Sequence, residues 1–435
     1  MGLTSIARLV AASVNPFIDD RERSTQLESL ADHRSLVQFA RRLRQAGVAG
    51  QAYSFLERSQ SLGLLSADAQ MDLKRSYAFA ERRNKRLFRI LARVLDRAAA
   101  ESVEMVVTRG PRLLATSYKN GLGTRTFADI DVWVRPNMVG SARNVISAAL
   151  GAAVHHSGRS RALDADRVPS CREIIRCGRV HFDLHWNPSR SYSFCRLRDE
   201  PSLNERIWQD ARLSERAGWY WLEFSPEVEL ALLCRHLAVQ HDLTEGVTLG
   251  FLDLAMYLLH FHEELDWARV MQLASSLHIR RPVSAVLRML PQVFEGSEKV
   301  LPPHLMTTRK HLRERIILRI TVSPAMSSAI TRTFLRRGSQ FLRRYIASSM
   351  LMEDDAIRFS FMRALFLPRA EDMDLFLDRK LNLAIRILFL CFVYPFILLA
   401  FAPSVVTCLA CSTIDAMRRM CGYHDRHFRH RTGQE

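Results

Sequence analysis

Residues 125–136 read RTFADIDVWVRP and residues 179–186 read RVHFDLHW. In the first stretch Asp129 and Asp131 flank Ile130, and the run continues apolar through Val132, Trp133 and Val134. Successive side chains of an extended strand alternate faces, so both carboxylates point to one side. In the second stretch His181, Asp183 and His185 share a face, with Val180, Phe182, Leu184 and Trp186 on the other. Carboxylates gathered on neighbouring strands repel one another, and divalent cations seated among them relieve that cost. Hard oxygen donors of this kind suit Mg2+ or Mn2+. The His181-x-Asp183-x-His185 face also permits a zinc reading, the weaker one because no further ligand set accompanies it.

Working outward, Val103–Thr108 is a short β-branched strand, and Arg109-Gly110-Pro111 turns into a helix over 112–118. Proline at a first helical position has no N–H to satisfy, and a helix N-terminus beside a glycine is a natural phosphate cradle. A flexible turn, Lys119–Gly123, leads into the carboxylate strand. Downstream, 141–150 reads as a helix, 155–170 as irregular, and 172–177 with 179–186 as a hairpin around Gly178. Residues 187–223 read as loop-rich, with Trp208, Trp219, Tyr220 and Trp221 as core anchors rather than a base-stacking platform. Ser225-Pro226-Glu227 opens a helix with Ser225 as its cap, and apolar-striped helices follow at 251–262 and 267–277. His236 and His241 fall on or near the first of these, in structural or nucleotide-contacting roles.

The first hundred residues read helical. Leu36, Phe39, Ala40 and Leu43 recur at helix spacing, and 67–100 is one long amphipathic pattern. Its Arg82, Arg83, Lys85 and Arg86 either hold phosphate or form a solvated face. The chain of 435 residues is long enough for two or three domains. Its net charge of +17 calls for acidic company: nucleic acid, nucleotide phosphates or anionic lipid. Eight cysteines, scattered apart from Cys408-x-x-Cys411, fit reduced thiols in a cytoplasmic compartment. The N-terminus lacks a long apolar core and does not read as a signal peptide. Residues 309–344 carry ten basic residues and one acid, Glu314, in a pattern suited to membrane surface or nucleic acid. Residues 387–414 contain no charge, are broken by Pro395 and Pro403, and are long enough to span or enter a bilayer.

The pattern Arg125-x-x-x-Asp129-Ile130-Asp131, followed by Asp183-Leu184-His185-Trp186, resembles the uncharacterised bacterial nucleotidyltransferase family of the DNA polymerase beta-like superfamily. The likeness extends from His33–Glu57 through the LDLA stretch at 252–255 to Asp266-Trp267, and covers roughly residues 33 to 290. The family's Lys-Gly appears here as Arg109-Gly110. The resemblance implies an α+β fold, a small mixed β-sheet nucleotidyltransferase core flanked by helices. The expected organisation is an N-terminal helical segment (1–100), the core (101–223), a C-terminal α-helical domain (224–300), a basic helical segment (301–380), an apolar, membrane-associated segment (381–418) and a disordered tail (419–435). It further implies that Asp129, Asp131 and Asp183 are catalytic metal ligands for Mg2+ or Mn2+. Arg109, Gly110 and Arg125 are the expected nucleotide-binding residues, and His185 and His181 the secondary candidates. The expected activity moves an NMP from an NTP to an acceptor hydroxyl on RNA, protein or a small molecule. The alternative is a non-catalytic membrane-associated module that binds a nucleotide or partner. The expected location is cytoplasmic, against the anionic inner face of the cell membrane through 381–418.

Overall fold

Short β-branched and aromatic runs form one mixed sheet: β1 (Val106–Thr108), β2 (Ile130–Trp133), β3 (His155–His156), β4 (Arg172–Cys177), β5 (Val180–His185), β6 (Arg212–Arg216) and β7 (Trp219–Glu223). In this computed structural model the strand order is β3-β4-β5-β2-β1-β7-β6. The β2–β5 and β1–β7 pairs are parallel, and the other neighbours are antiparallel. The structure describes residues 5–307 apart from 31–32, 119, 152–154, 157–171, 179, 188–200, 217–218 and 241–246. His241, the basic stretch 309–344, the apolar run 387–414 and the tail lie outside the described residues. Among the described residues no helix is long and apolar enough to cross a membrane.

The helices are α1 (Ser5–Val14), α2 (Asp20–Leu30), α3 (His33–Gln45), α4 (Ala49–Arg58), α5 (Ala67–Ala100), α6 (Arg109–Thr116), α7 (Val139–Leu150), α8 (Pro201–Trp208), α9 (Pro226–Arg235), α10 (Val247–Phe261), α11 (Trp267–Ser276), α12 (Arg280–Val293) and α13 (Pro303–Thr307). α5 starts where Ser66 accepts a cap hydrogen bond from the Ala69 N–H, and it buries Leu73, Ala80, Leu87, Ile90, Leu91 and Val94, the stripe legible in the sequence.

Register decides which face each side chain takes. Thr108 pairs with Asp131, which pairs with Asp183; one row along, Val106 pairs with Trp133, which pairs with His185. Cross-strand partners share a face, so all six lie on one side of the sheet. The opposite side is covered by α5: Phe88 stacks on Trp221 with ring centroids 6.4 Å apart and meets Phe127 edge-on at 6.1 Å. On the Asp131 side, Trp133, Trp208, Phe224, Val228, Leu232 and Leu273 form a buried cluster that joins the sheet to α9 and α11.

Three local expectations are corrected. Residues 187–223, read as loop-rich, supply α8 and the β6–β7 hairpin, because Leu222 finds a partner in Val106 more than a hundred residues earlier and so extends the sheet. Within the stretch read as irregular, His155–His156 add a short edge strand to β4. Ser225 stands at the N-cap of α9 and Pro226 at its first position, but the Ser225 hydroxyl makes no cap bond. The aromatic anchors divide: Trp208 and Trp221 are buried as expected, whereas Tyr220 is 61% exposed.

Candidate active site

Asp131 and Asp183 sit at matched positions of the parallel pair β2–β5, which brings their carboxylates together. His185, two residues on, points to the same face. Its Nε2 lies 3.2 Å from Asp131 Oδ1 and 3.5 Å from Asp183 Oδ2. One ligand atom from each of Asp131, Asp183 and His185 falls within 4.8 Å of the others, and all three residues are buried. The His185 ring is held by Trp133, stacked at 5.1 Å and tilted by 19°, and Trp133 is in turn edge-on to Phe224 at 5.9 Å. The ring therefore inherits the rigidity of the core.

Arg109 closes the group. Its guanidinium bonds Asp131 Oδ1, donates to His185 Nε2 at 2.8 Å and to His236 Nδ1 at 2.7 Å. A guanidinium only donates, so the imidazole nitrogens that face it are lone-pair acceptors. For His185 the single Nε2 lone pair is thus taken by Arg109, and an unprotonated Nε2 is the form in which imidazole ligates a metal once that guanidinium moves away. The Arg109 backbone has φ 53° at the strand-to-helix turn, and its N–H is held by Glu229 Oε1 at 2.9 Å. Glu229 is fully buried beneath α6, where Arg112 lies 3.0 Å away. Burial raises the Glu229 carboxyl above its ordinary range, and Arg112 and the Arg109 N–H offset part of that rise.

The remaining expected residues stand around this centre. Asp129 is half-buried, one residue before β2, outside the Asp131–Asp183–His185 group. His181 lies at the far end of the same β5 face, two residues before Asp183, also outside the group. Gly110 is buried in the first turn of α6; a Cβ there would come within 2.7 Å of Phe127 Cβ and 3.1 Å of Arg125 Nη1. Its lack of a side chain thus lets α6 lie against the segment that leads into β2. Arg125 is buried behind Gly110, where Nε and Nη2 donate to the two Asp253 oxygens at 2.6 and 2.7 Å. Tyr118 donates to the same carboxylate at 2.7 Å. Burial pulls the Arg125 pKa down and Asp253 raises it by more, so the net shift is upward and the guanidinium stays charged. Asn84 of α5 donates to the carbonyls of Leu122 and Arg125 at 2.7 and 2.6 Å, tying the loop to the helix behind it.

Sequence reasoning missed Glu229, Asp253 and the contact of His236 with Arg109. The signal for Asp253 was present: a lone acid inside the apolar helix sequence GFLDLAMYLL needs a buried cation. Glu229, in PEVELALLCR, gave the same signal.

Helices on both sides of a small mixed sheet, with carboxylates on adjacent strands and a strand–turn–helix beside them, define an α+β protein with a nucleotidyltransferase-type core. The family model described as uncharacterised nucleotidyltransferase matches residues 32–295, more than half of the chain, and the chain belongs to that family. No curated protein and no solved structure matches it.

Proposed function

We propose that this chain transfers a nucleotidyl group from an NTP to an acceptor hydroxyl with release of pyrophosphate, supported by Mg2+ or Mn2+. The observation that carries the reading is the buried meeting of Asp131, Asp183 and His185 on paired strands of a nucleotidyltransferase-family chain. The donor set fits a divalent ion: two carboxylates and an imidazole nitrogen converge, and one cation, the Arg109 guanidinium, already lies against them. The unbonded, buried Thr108 hydroxyl is on the same sheet row.

Asp131 and Asp183 would hold the ion with His185, and Asp129 would serve from the residue before β2. When bound, such an ion lowers the acceptor hydroxyl's pKa and neutralises charge developing at the α-phosphorus. The chain does the rest. Arg109, anchored through its backbone to Glu229, turns from Asp131 toward the triphosphate, where a guanidinium fork matches phosphate oxygens. Arg125, neutralised by Asp253, would act by holding the segment behind Gly110 in place. The Trp133 stack keeps His185 in position throughout. The acceptor belongs to the class RNA, protein or small molecule. Residues 387–414 would hold the enzyme at the anionic inner face of the cell membrane, since burying an uncharged run in lipid is favourable.

The Arg109–Asp131 ion pair also suits a second reading, a nucleotide-binding module that uses no metal and turns nothing over. Incubation with α-labelled NTPs, Mg2+ or Mn2+ and cell extract separates the two. Label moves into an acceptor and pyrophosphate appears only with the metal under the first reading. Metal-independent NTP binding with no transfer establishes the second.

A further inference from the structure

α5 carries a row of exposed side chains that the site does not use. Arg75, Phe79, Arg82, Arg86, Arg89 and Arg93 follow one another at steps of four, three, four, three and four residues, and all are exposed. Those steps keep the six within a narrow strip of one helix face, extending roughly 27 Å at 1.5 Å per residue. Phe79 is 59% exposed, among the most exposed large apolar side chains described. The row is not neutralised by its own helix. Glu81 pairs with Lys85, Asp72 with Arg44 and Glu101 with Arg97, and among the described residues none of the five arginines has an ion pair. Arg82, Arg86, Arg89 and Arg93 are like charges at helix-neighbour spacing, an arrangement that costs helix stability when no anion is present. Because α5 covers the Trp221 side of the sheet and Asp131 is on the other, this surface is distinct from the Asp131–Asp183–His185 group, and α5 meets the segment before β2 through Arg83, which donates to the Ala128 carbonyl.

We propose that the outer face of α5 binds single-stranded nucleic acid, with phosphates along the arginine row and one unpaired base stacked on Phe79. Guanidinium groups about 5 Å apart along a helix suit successive phosphates, and an aromatic set among them provides the sequence-tolerant stacking platform that such strands use. A membrane surface fits less well. The apolar stripe of α5 that would enter lipid is already buried in the protein, and besides Phe79 the exposed large apolar side chain described on α5 is Met71, eight residues away. The surface can be tested without NTP or metal, so its failure is distinct from failure of nucleotidyl transfer.

The test is fluorescence anisotropy of a labelled 20-nucleotide oligouridylate with the full chain across a salt series. The triple variant Arg82→Glu, Arg86→Glu, Arg89→Glu should lose at least tenfold in affinity. Its log–log salt slope should fall by about 2, at roughly 0.7 for each phosphate no longer bound. Phe79→Ala should lose about tenfold with the slope unchanged, the signature of a missing stacking platform. Circular dichroism checks each fold, and an Arg→Gln triple serves if charge reversal disturbs it. Wild-type affinity in the triple variant places the binding elsewhere on this basic chain and overturns the proposal. So does absence of binding in the parent chain, equal binding of duplex with no effect of Phe79→Ala, or preference for phosphatidylserine vesicles that the oligonucleotide does not displace.

Discussion

At the scale of single residues, the site is a contest between cations for two carboxylates. Arg109 holds Asp131, and a divalent ion needs the same oxygen. Arg109→Ala should therefore bind Mn2+ several-fold more tightly in the absence of NTP, read by calorimetry, while its KM for NTP rises because no guanidinium is left to meet the phosphates. Unchanged Mn2+ affinity would show that the two do not compete. Asp131→Asn and Asp183→Asn should each lower transfer by at least two orders of magnitude with the circular dichroism spectrum retained, since each removes a charged ligand from the group. Asp129→Ala should also reduce transfer. If it alone leaves the rate intact, the metal seat consists of Asp131, Asp183 and His185, the residues that the fold brings closest.

At the scale of elements, the loop leading into β2 is positioned by α10 and α5 rather than by its own sequence. Arg125 and Tyr118 both end on Asp253 of α10, and Asn84 of α5 holds the carbonyls on either side. Breaking a buried bidentate pair leaves an uncompensated charge, which costs about 3–5 kcal/mol. Asp253→Ala should show that loss in urea unfolding, and Tyr118→Phe a smaller loss of about 1 kcal/mol. A destabilisation of Asp253→Ala no greater than that of Tyr118→Phe would mean that Arg125 finds another partner. Gly110→Ala probes the α6–β2 approach: the new methyl meets Phe127 Cβ at 2.7 Å, and overpacking of this kind costs about 1–3 kcal/mol. A fully stable Gly110→Ala would show that α6 can slide away from β2.

At the scale of the whole molecule, the sheet, its covering helices and the site fall in a compact unit that ends at Thr308. A chain truncated after Thr308 should unfold in one cooperative transition and bind Mn2+ as the full chain does. Loss of either property would tie the site to the remaining 127 residues. The sequence alone determined the carboxylate strands, the long amphipathic α5 and the hairpin at Gly178, because alternation and 3.6-residue periodicity are local signals. The family resemblance likewise rested on residues close together in the chain, Asp129 to Asp131 and Asp183 to Trp186. What the sequence could not determine was partnership across distance. That Leu222 extends the sheet beside Val106, that Arg125 is committed to Asp253, and that Arg109 reaches both His185 and His236 depend on strand order and helix packing. The three arginine contacts join residues 76 to 128 positions apart, and only the closed chain sets which of several buried acids meets which arginine.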